Sequence, residues 1–169
     1  MDSLFFHPKV VHLPIALSLL MPLVAACLVV GWWKGWFSPR TWIVAVVAQA
    51  MLFASGLVAE STGESQDHRV EQVVPKRFIE AHHEAAETFL WSSGAVFAVM
   101  LGAALASRRR SGLPLATAAT LGTLVVLALG YRVGQAGGAL VYEHGAAEAY
   151  QGSGNSTPAR DSGKIDDDD

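Results

Sequence analysis

The chain has 169 residues, of which 51% are hydrophobic and only 16% charged, with a formal net charge of -3. Together with a positive mean hydropathy, that balance excludes an ordinary soluble domain of this size and places the chain in the membrane class. No basic surface suggests nucleic acid, and the lone Cys27, with no CxxC or CxxCH motif, excludes an internal disulfide and covalent c-type haem.

Four stretches are long and apolar enough to span ~30 Å of hydrocarbon, which takes about 20 helical residues. They predict an all-α, integral membrane four-helix bundle over residues 1–150. Its helices fall at about 10–33, 41–60, 85–107 and 113–142.

The first helix opens on His7-Pro8-Lys9-Val10-Val11-His12. Pro8 suits a first helical turn, where the missing N–H costs nothing. His12 then stands one turn inside, near the membrane surface. His7 and His12 are five apart and point about 140° away from each other on a regular helix, so one ion is not shared between them. Val24-Ala25-Ala26-Cys27 resembles a lipoprotein cleavage box. However, Lys9 is offset by Asp2, and Pro14 and Pro22 interrupt the apolar run, which favours an uncleaved first helix.

The second helix presents Gln49, Phe53, Gly56 and Glu60 on one face. Gln49 is near mid-membrane and is expected to turn into the bundle and hydrogen-bond there. Glu60 lands at the outer end.

The third helix opens on Glu80-Ala81-His82-His83-Glu84-Ala85-Ala86-Glu87. Glu80, His83 and Glu87 form one stripe. Glu-x-x-His is the spacing of carboxylate-bridged metal bundles, which need two copies, and here there is one. Acids at a helix start are explained by the helix dipole; two adjacent histidines are not. Neutral imidazole ligates haem iron and copper, which favours His83 as a ligand over His82.

The fourth stretch spans thirty residues, or ~45 Å, so it must project beyond the bilayer or break at Gly134, Gly137 and Gly138. Tyr131, Gln135, Gly138 and Tyr142 share a face, and small residues there let a helix or a flat cofactor approach the backbone. Arg132 is placed to snorkel to lipid phosphate or to meet Glu60 or a cofactor propionate. His144, followed by Gly145, reads as the helix C-terminus, where the dipole favours a cation. Residues 151–169 have no apolar periodicity and are expected to be a disordered acidic tail.

Lys34, Arg40 and Arg108–Arg110 fall in the two loops on one side of the bundle, which the positive-inside rule makes cytoplasmic. The N-terminus and C-terminus are then on the outer, periplasmic side. So are all six histidines: His7, His12, His68, His82, His83 and His144. Ionisable groups near lipid are costly and usually mark a site. Trp32, Trp33, Trp36 and Trp42 read as an interfacial belt at the opposite end.

HPKVVHLPIAL at the start and GGALVYEHG at the end resemble the bacterial four-helix membrane family called domain of unknown function 2231. Its members look like HP-x-x-VHFPIAL and GG-x-LVY-x-HG. The likeness covers most of residues 5–147, and Leu13 stands where the family has Phe. The resemblance implies haem b binding. It makes His7, His12 and His144 the family positions, with His82 or His83 completing the set.

Three functions follow in order of weight. The first is a b-type haem-binding electron-transfer protein of the bacterial inner membrane, with His7, His12, His82, His83, His144 and Arg132 at the cofactor. Quinol, a periplasmic cytochrome or a larger respiratory complex would be its partners, beyond the lipid bilayer. The second is a membrane protein binding zinc, iron or copper through His12, His83, His144, Glu60 and Glu87. The third is an accessory structural subunit. No nucleophile–base pair or phosphate loop is present, so a carrier or accessory subunit is expected over a stand-alone enzyme.

Overall fold

The computed structural model describes residues 10–64 and 71–143. Four α-helices account for nearly all of them: α1 (His12–Trp33), α2 (Ile43–Glu64), α3 (Lys76–Leu105) and α4 (Gly112–Tyr142). A short 3-10 turn, Pro39–Trp42, leads into α2. No strand occurs among the described residues. All four helices are long and apolar enough to cross a membrane.

Each helix packs on its neighbours in the chain, and α4 returns to pack on α1, closing a ring. The register is antiparallel throughout. Along α3 and α4, His82 meets Gly137, Phe89 meets Gly130 and Val96 meets Gly122. Along α2 and α3, Trp42 bonds to Met100 and Gln49 to Ser93, and Gly56 lies against Leu90. Along α1 and α4, Ser18 lies against Gly130.

The inward positions recur at alternating intervals of three and four. On α3 they are Ile79, His82, Ala86, Phe89, Ser93, Val96, Met100 and Ala103, each buried or half-buried. On α4 they run from Gly112 through Ala116, Ala119, Thr123 and Val126 to Gly130, Val133, Gly137 and Leu140. This heptad spacing is the seam of helices packing in a slightly coiled bundle. The seam is small and polar as often as large. Meanwhile Leu19, Leu23, Val44, Val47, Leu121 and Val125 are exposed on the outer surface. A water-soluble bundle would carry the reverse pattern; in lipid, small seam residues let backbones approach and the outer face stays apolar.

The α1–α2 connection is built by the backbone. Gly35 adopts φ +73, the left-handed conformation that closes a helix end. The Gly35 N–H then donates to Trp32 O at 3.1 Å and the Trp36 N–H to Gly31 O at 2.8 Å, a Schellman cap. Trp33 (67% exposed) and Trp36 face outward as an interfacial belt would, but Trp42 does not. It is 1% exposed, and its Nε1–H donates to Met100 O at 3.1 Å, pinning the start of α2 to α3.

One element differs from expectation, and the fourth helix follows one of its two expected courses. The third helix begins at Lys76 rather than near residue 85, because a helix continues into water where hydropathy ends. The fourth is unbroken to Tyr142, since its glycines keep their helical hydrogen bonds. A second small core of Val74, Ile79 and Leu140, with Phe78 against it, staples the projecting ends of α3 and α4 together. It is separate from the main core of the bundle.

Candidate functional site: the histidine end of the bundle

Of the six histidines, His12, His82 and His83 lie within the described residues; His7, His68 and His144 lie outside them. The register sets the three on one level. His12 is six residues before Ser18, and six after Gly130 is Ala136. Ala136 in turn precedes the Gly137 that meets His82. His12 on α1 and His82–His83 on α3 therefore stand at the same height, between the main core and the small outer core.

The two adjacent histidines differ in their surroundings. His82 is on the inward seam of α3. Its ring lies against α4, so that a Cβ added at Gly137 would meet Cε1 at 3.1 Å and Nδ1 at 3.5 Å. Its Nδ1 is fully buried. His83 is half-buried beside the seam; the two rings are 6.3 Å apart, tilted by 59°. His12 is exposed, as is Glu87. Glu60, half-buried, is four residues beyond Gly56, within a turn of the histidine level. Arg132 is exposed, two residues beyond the Gly130 that meets Phe89, and so stands level with Glu87. Among the described residues, no three His, Cys, Asp or Glu side chains converge closely enough to hold a metal ion.

The floor of this site is Phe89, which sequence reading missed. Its ring packs in a socket formed by glycines of α2 and α4, with Ser18 of α1 beside the second. Added Cβ atoms would approach it at 3.3 Å from Gly130 and 3.9 Å from Gly56, and Ser18 Oγ lies 3.2 Å from the same Gly130 position. The interior below the histidine level is therefore closed by packed side chains. The signal in the sequence was the three–four spacing of Ser18, Gly56 and Gly130 with neighbouring seam residues.

One face of α4 is bare at the histidine level. A Cβ added at Gly134 or Gly138 would meet nothing within 4 Å. Exposed Tyr131 and Tyr142 (66% and 89%) bracket this glycine stretch. Gln135 Nε2 donates to Tyr131 OH at 2.9 Å, which holds the phenol along the helix. The notch offers open backbone, two aromatic rings and a fixed polar pair.

Deeper in the bundle, Gln49 is 0% exposed and turns inward, as mid-membrane amides do. Its Nε2 donates to Ser93 O at 3.1 Å and Ser93 Oγ at 3.2 Å. Gln49 Oε1 is buried and accepts no hydrogen bond.

No protein-family model, curated protein or solved structure matches the chain.

Proposed function

We propose that this is a multi-pass protein of a bacterial inner membrane that carries electrons through a b-type haem held at the histidine end of the bundle. The observation that supports the reading most is the common level of His12, His82 and His83, with the bare Gly134–Gly138 face of α4 at the same height. The donor set suits the group, because imidazole is the usual ligand of haem iron in such sites. Phe89 closes the interior below the histidine level, and the open backbone of Gly134 and Gly138 leaves a flat group space only along that face of α4. When bound, the haem would supply one-electron redox chemistry, and the protein would tune it through ligands and burial.

The chain's own residues then have distinct tasks. His82, fixed against Gly137, supplies an imidazole whose orientation is set by packing. The exposed His12 supplies a second from α1, and His7 and His144 are further candidates by the family resemblance. Arg132 supplies a cation to a propionate. Phe89 keeps water and lipid tails from entering the interior from this end. Lys34, Arg40 and Arg108–Arg110 on the opposite side support an orientation with the site on the outer face. Quinol and a periplasmic cytochrome are the matching partners.

The test is an absorption spectrum of detergent-purified protein after haem-replete expression, oxidised and then dithionite-reduced. A sharp Soret band with α and β bands on reduction is expected, and it should be lost in His82→Ala. A featureless visible spectrum would reject haem. Elemental analysis for zinc, iron or copper would then decide between a non-haem metal site using His12, His83, His144, Glu60 and Glu87 and an accessory subunit without metal.

A further inference from the structure

The end of the bundle opposite the histidines carries a second feature, independent of the cofactor reading. A groove of about 370 Å³ runs between α1 and α4, lined by Val29, Val30, Trp33, Leu113, Pro114 and Thr117. Its walls are almost wholly apolar. The hydroxyl of Thr117 donates to Leu113 O at 3.0 Å, so it offers no free donor to the groove. Trp33, Val30, Pro114 and Thr117 are exposed, so the groove opens sideways to the lipid rather than into the bundle.

The rim is cationic. Lys34 follows Trp33 directly, and its Nζ sits 4.5 Å from the centre of the Trp33 ring. Arg108, Arg109 and Arg110 immediately precede the turn into Leu113 and Pro114, and Arg40 is on the other loop of the same end. No Asp or Glu occurs in residues 34–42 or 106–115. Five cations without a counter-charge thus lie at this end of the bundle, with Lys34 and Arg108–Arg110 next in the chain to the walls of the lateral apolar slot. Basic pockets between membrane helices have the chemistry to take anionic lipid head groups.

We infer that the α1–α4 groove seats an acyl chain of an anionic phospholipid whose phosphate is held by Lys34 and the Arg108–Arg110 triplet. The groove gives the chain a fixed place, and the uncompensated rim selects a net negative headgroup over a zwitterionic one of the same length. Arginine forks bind phosphate oxygens in pairs, and the lysine ammonium adds a point charge.

The experiment exposes the intact protein to mixed micelles holding equal amounts of phosphatidylglycerol and phosphatidylcholine with matched chains. Native mass spectrometry then reads the lipids retained. A preference for phosphatidylglycerol of about fivefold or more is expected. It should vanish in the triple variant R108Q/R109Q/R110Q. Thr117→Trp, which fills the groove without changing charge, should cut retention of phosphatidylglycerol by a similar factor. Equal retention of the two lipids by the unaltered protein overturns the proposal. So does undiminished phosphatidylglycerol on Thr117→Trp, because the loops would then be binding lipid without the groove. Circular dichroism of each variant identifies any loss of fold, and Thr117→Val, which keeps the groove open, should retain the preference.

Discussion

The ring of His82 lies on the bare backbone of Gly137, close enough that one added methyl would come within 3.1 Å of its Cε1. Glycine inside a helix ordinarily costs about 0.5–1 kcal/mol relative to alanine. Gly137→Ala should nonetheless destabilise the cofactor-free protein, because overpacking a fitted contact costs ~1–3 kcal/mol. Gly138→Ala, one residue on, adds its methyl to open space and should be neutral or stabilising. Thermal unfolding in one detergent compares them. Equal midpoints for the two variants would show that His82 yields freely and is not held by α4.

The same open face distinguishes a cofactor notch from an inert stretch of helix. Gly138→Leu meets nothing within 4 Å at its Cβ, so the fold should survive it. If a flat ligand lies against Gly134 and Gly138, that side chain occupies its place. Haem affinity should then fall by about tenfold, the equivalent of ~1.4 kcal/mol, with the melting temperature of the haem-free protein unchanged. Unchanged haem affinity in Gly138→Leu would move the site away from this face.

The spans were legible in the sequence because length and lack of charge suffice to identify a membrane helix. The inward turn of Gln49 was legible too, since an amide at mid-membrane has nowhere else to bond. The beginning of α3 was not, because Lys76, Arg77 and Glu80 mark where hydropathy ends and not where the helix ends. Which of the two adjacent histidines turns inward was also hidden. Only the seam through Ile79, Ala86, Phe89 and Ser93 selects His82, and that seam carries no hydropathy contrast against a lipid-facing surface. Trp42 was misplaced for a similar reason: its sequence context is interfacial, whereas its N–H is used by Met100 O in the interior.

Phe89 joins α3 to α2 and α4 through Gly56 and Gly130, and Ser18 of α1 lies against the same Gly130. Truncating a buried Phe costs ~3–5 kcal/mol in soluble cores. Part of that is transfer from water, which is absent here, so Phe89→Ala should lose about 2 kcal/mol or more from packing alone. Adding Gly130→Leu, harmful by itself because it clashes with Phe89, should restore part of the loss. Denaturant unfolding of the two singles and the double gives the coupling. Simple additivity would mean that the socket does not exist in the membrane.

Gln49 makes two hydrogen bonds to Ser93 but leaves Oε1 buried without one. Removing an amide that is only half satisfied also removes its own desolvation cost. Interhelical polar contacts in membranes average ~0.6 kcal/mol. Gln49→Leu should therefore change stability by less than ~1 kcal/mol, and the double variant with Ser93→Ala should be no worse. A loss above ~2 kcal/mol would indicate that Oε1 has a partner, such as an ordered internal water.

Closure of the ring rests on α1 meeting α4, and Ser18 with Gly130 is its closest reporter. A Cβ at position 130 lies 3.2 Å from Ser18 Oγ, the place a cysteine sulfur would take at position 18, so sulfurs at the two positions are within bonding reach. With Cys27, the chain's only cysteine, replaced by serine, the pair Ser18→Cys and Gly130→Cys should oxidise readily in membranes. Moving the second cysteine to Leu124, which is exposed on the outer face, should abolish the bond. Protease cleavage between α1 and α4, followed by electrophoresis with and without reductant, reads the result. Bonding at Leu124 and not at Gly130 would require a different register for α1, and with it a different level for His12 relative to His82.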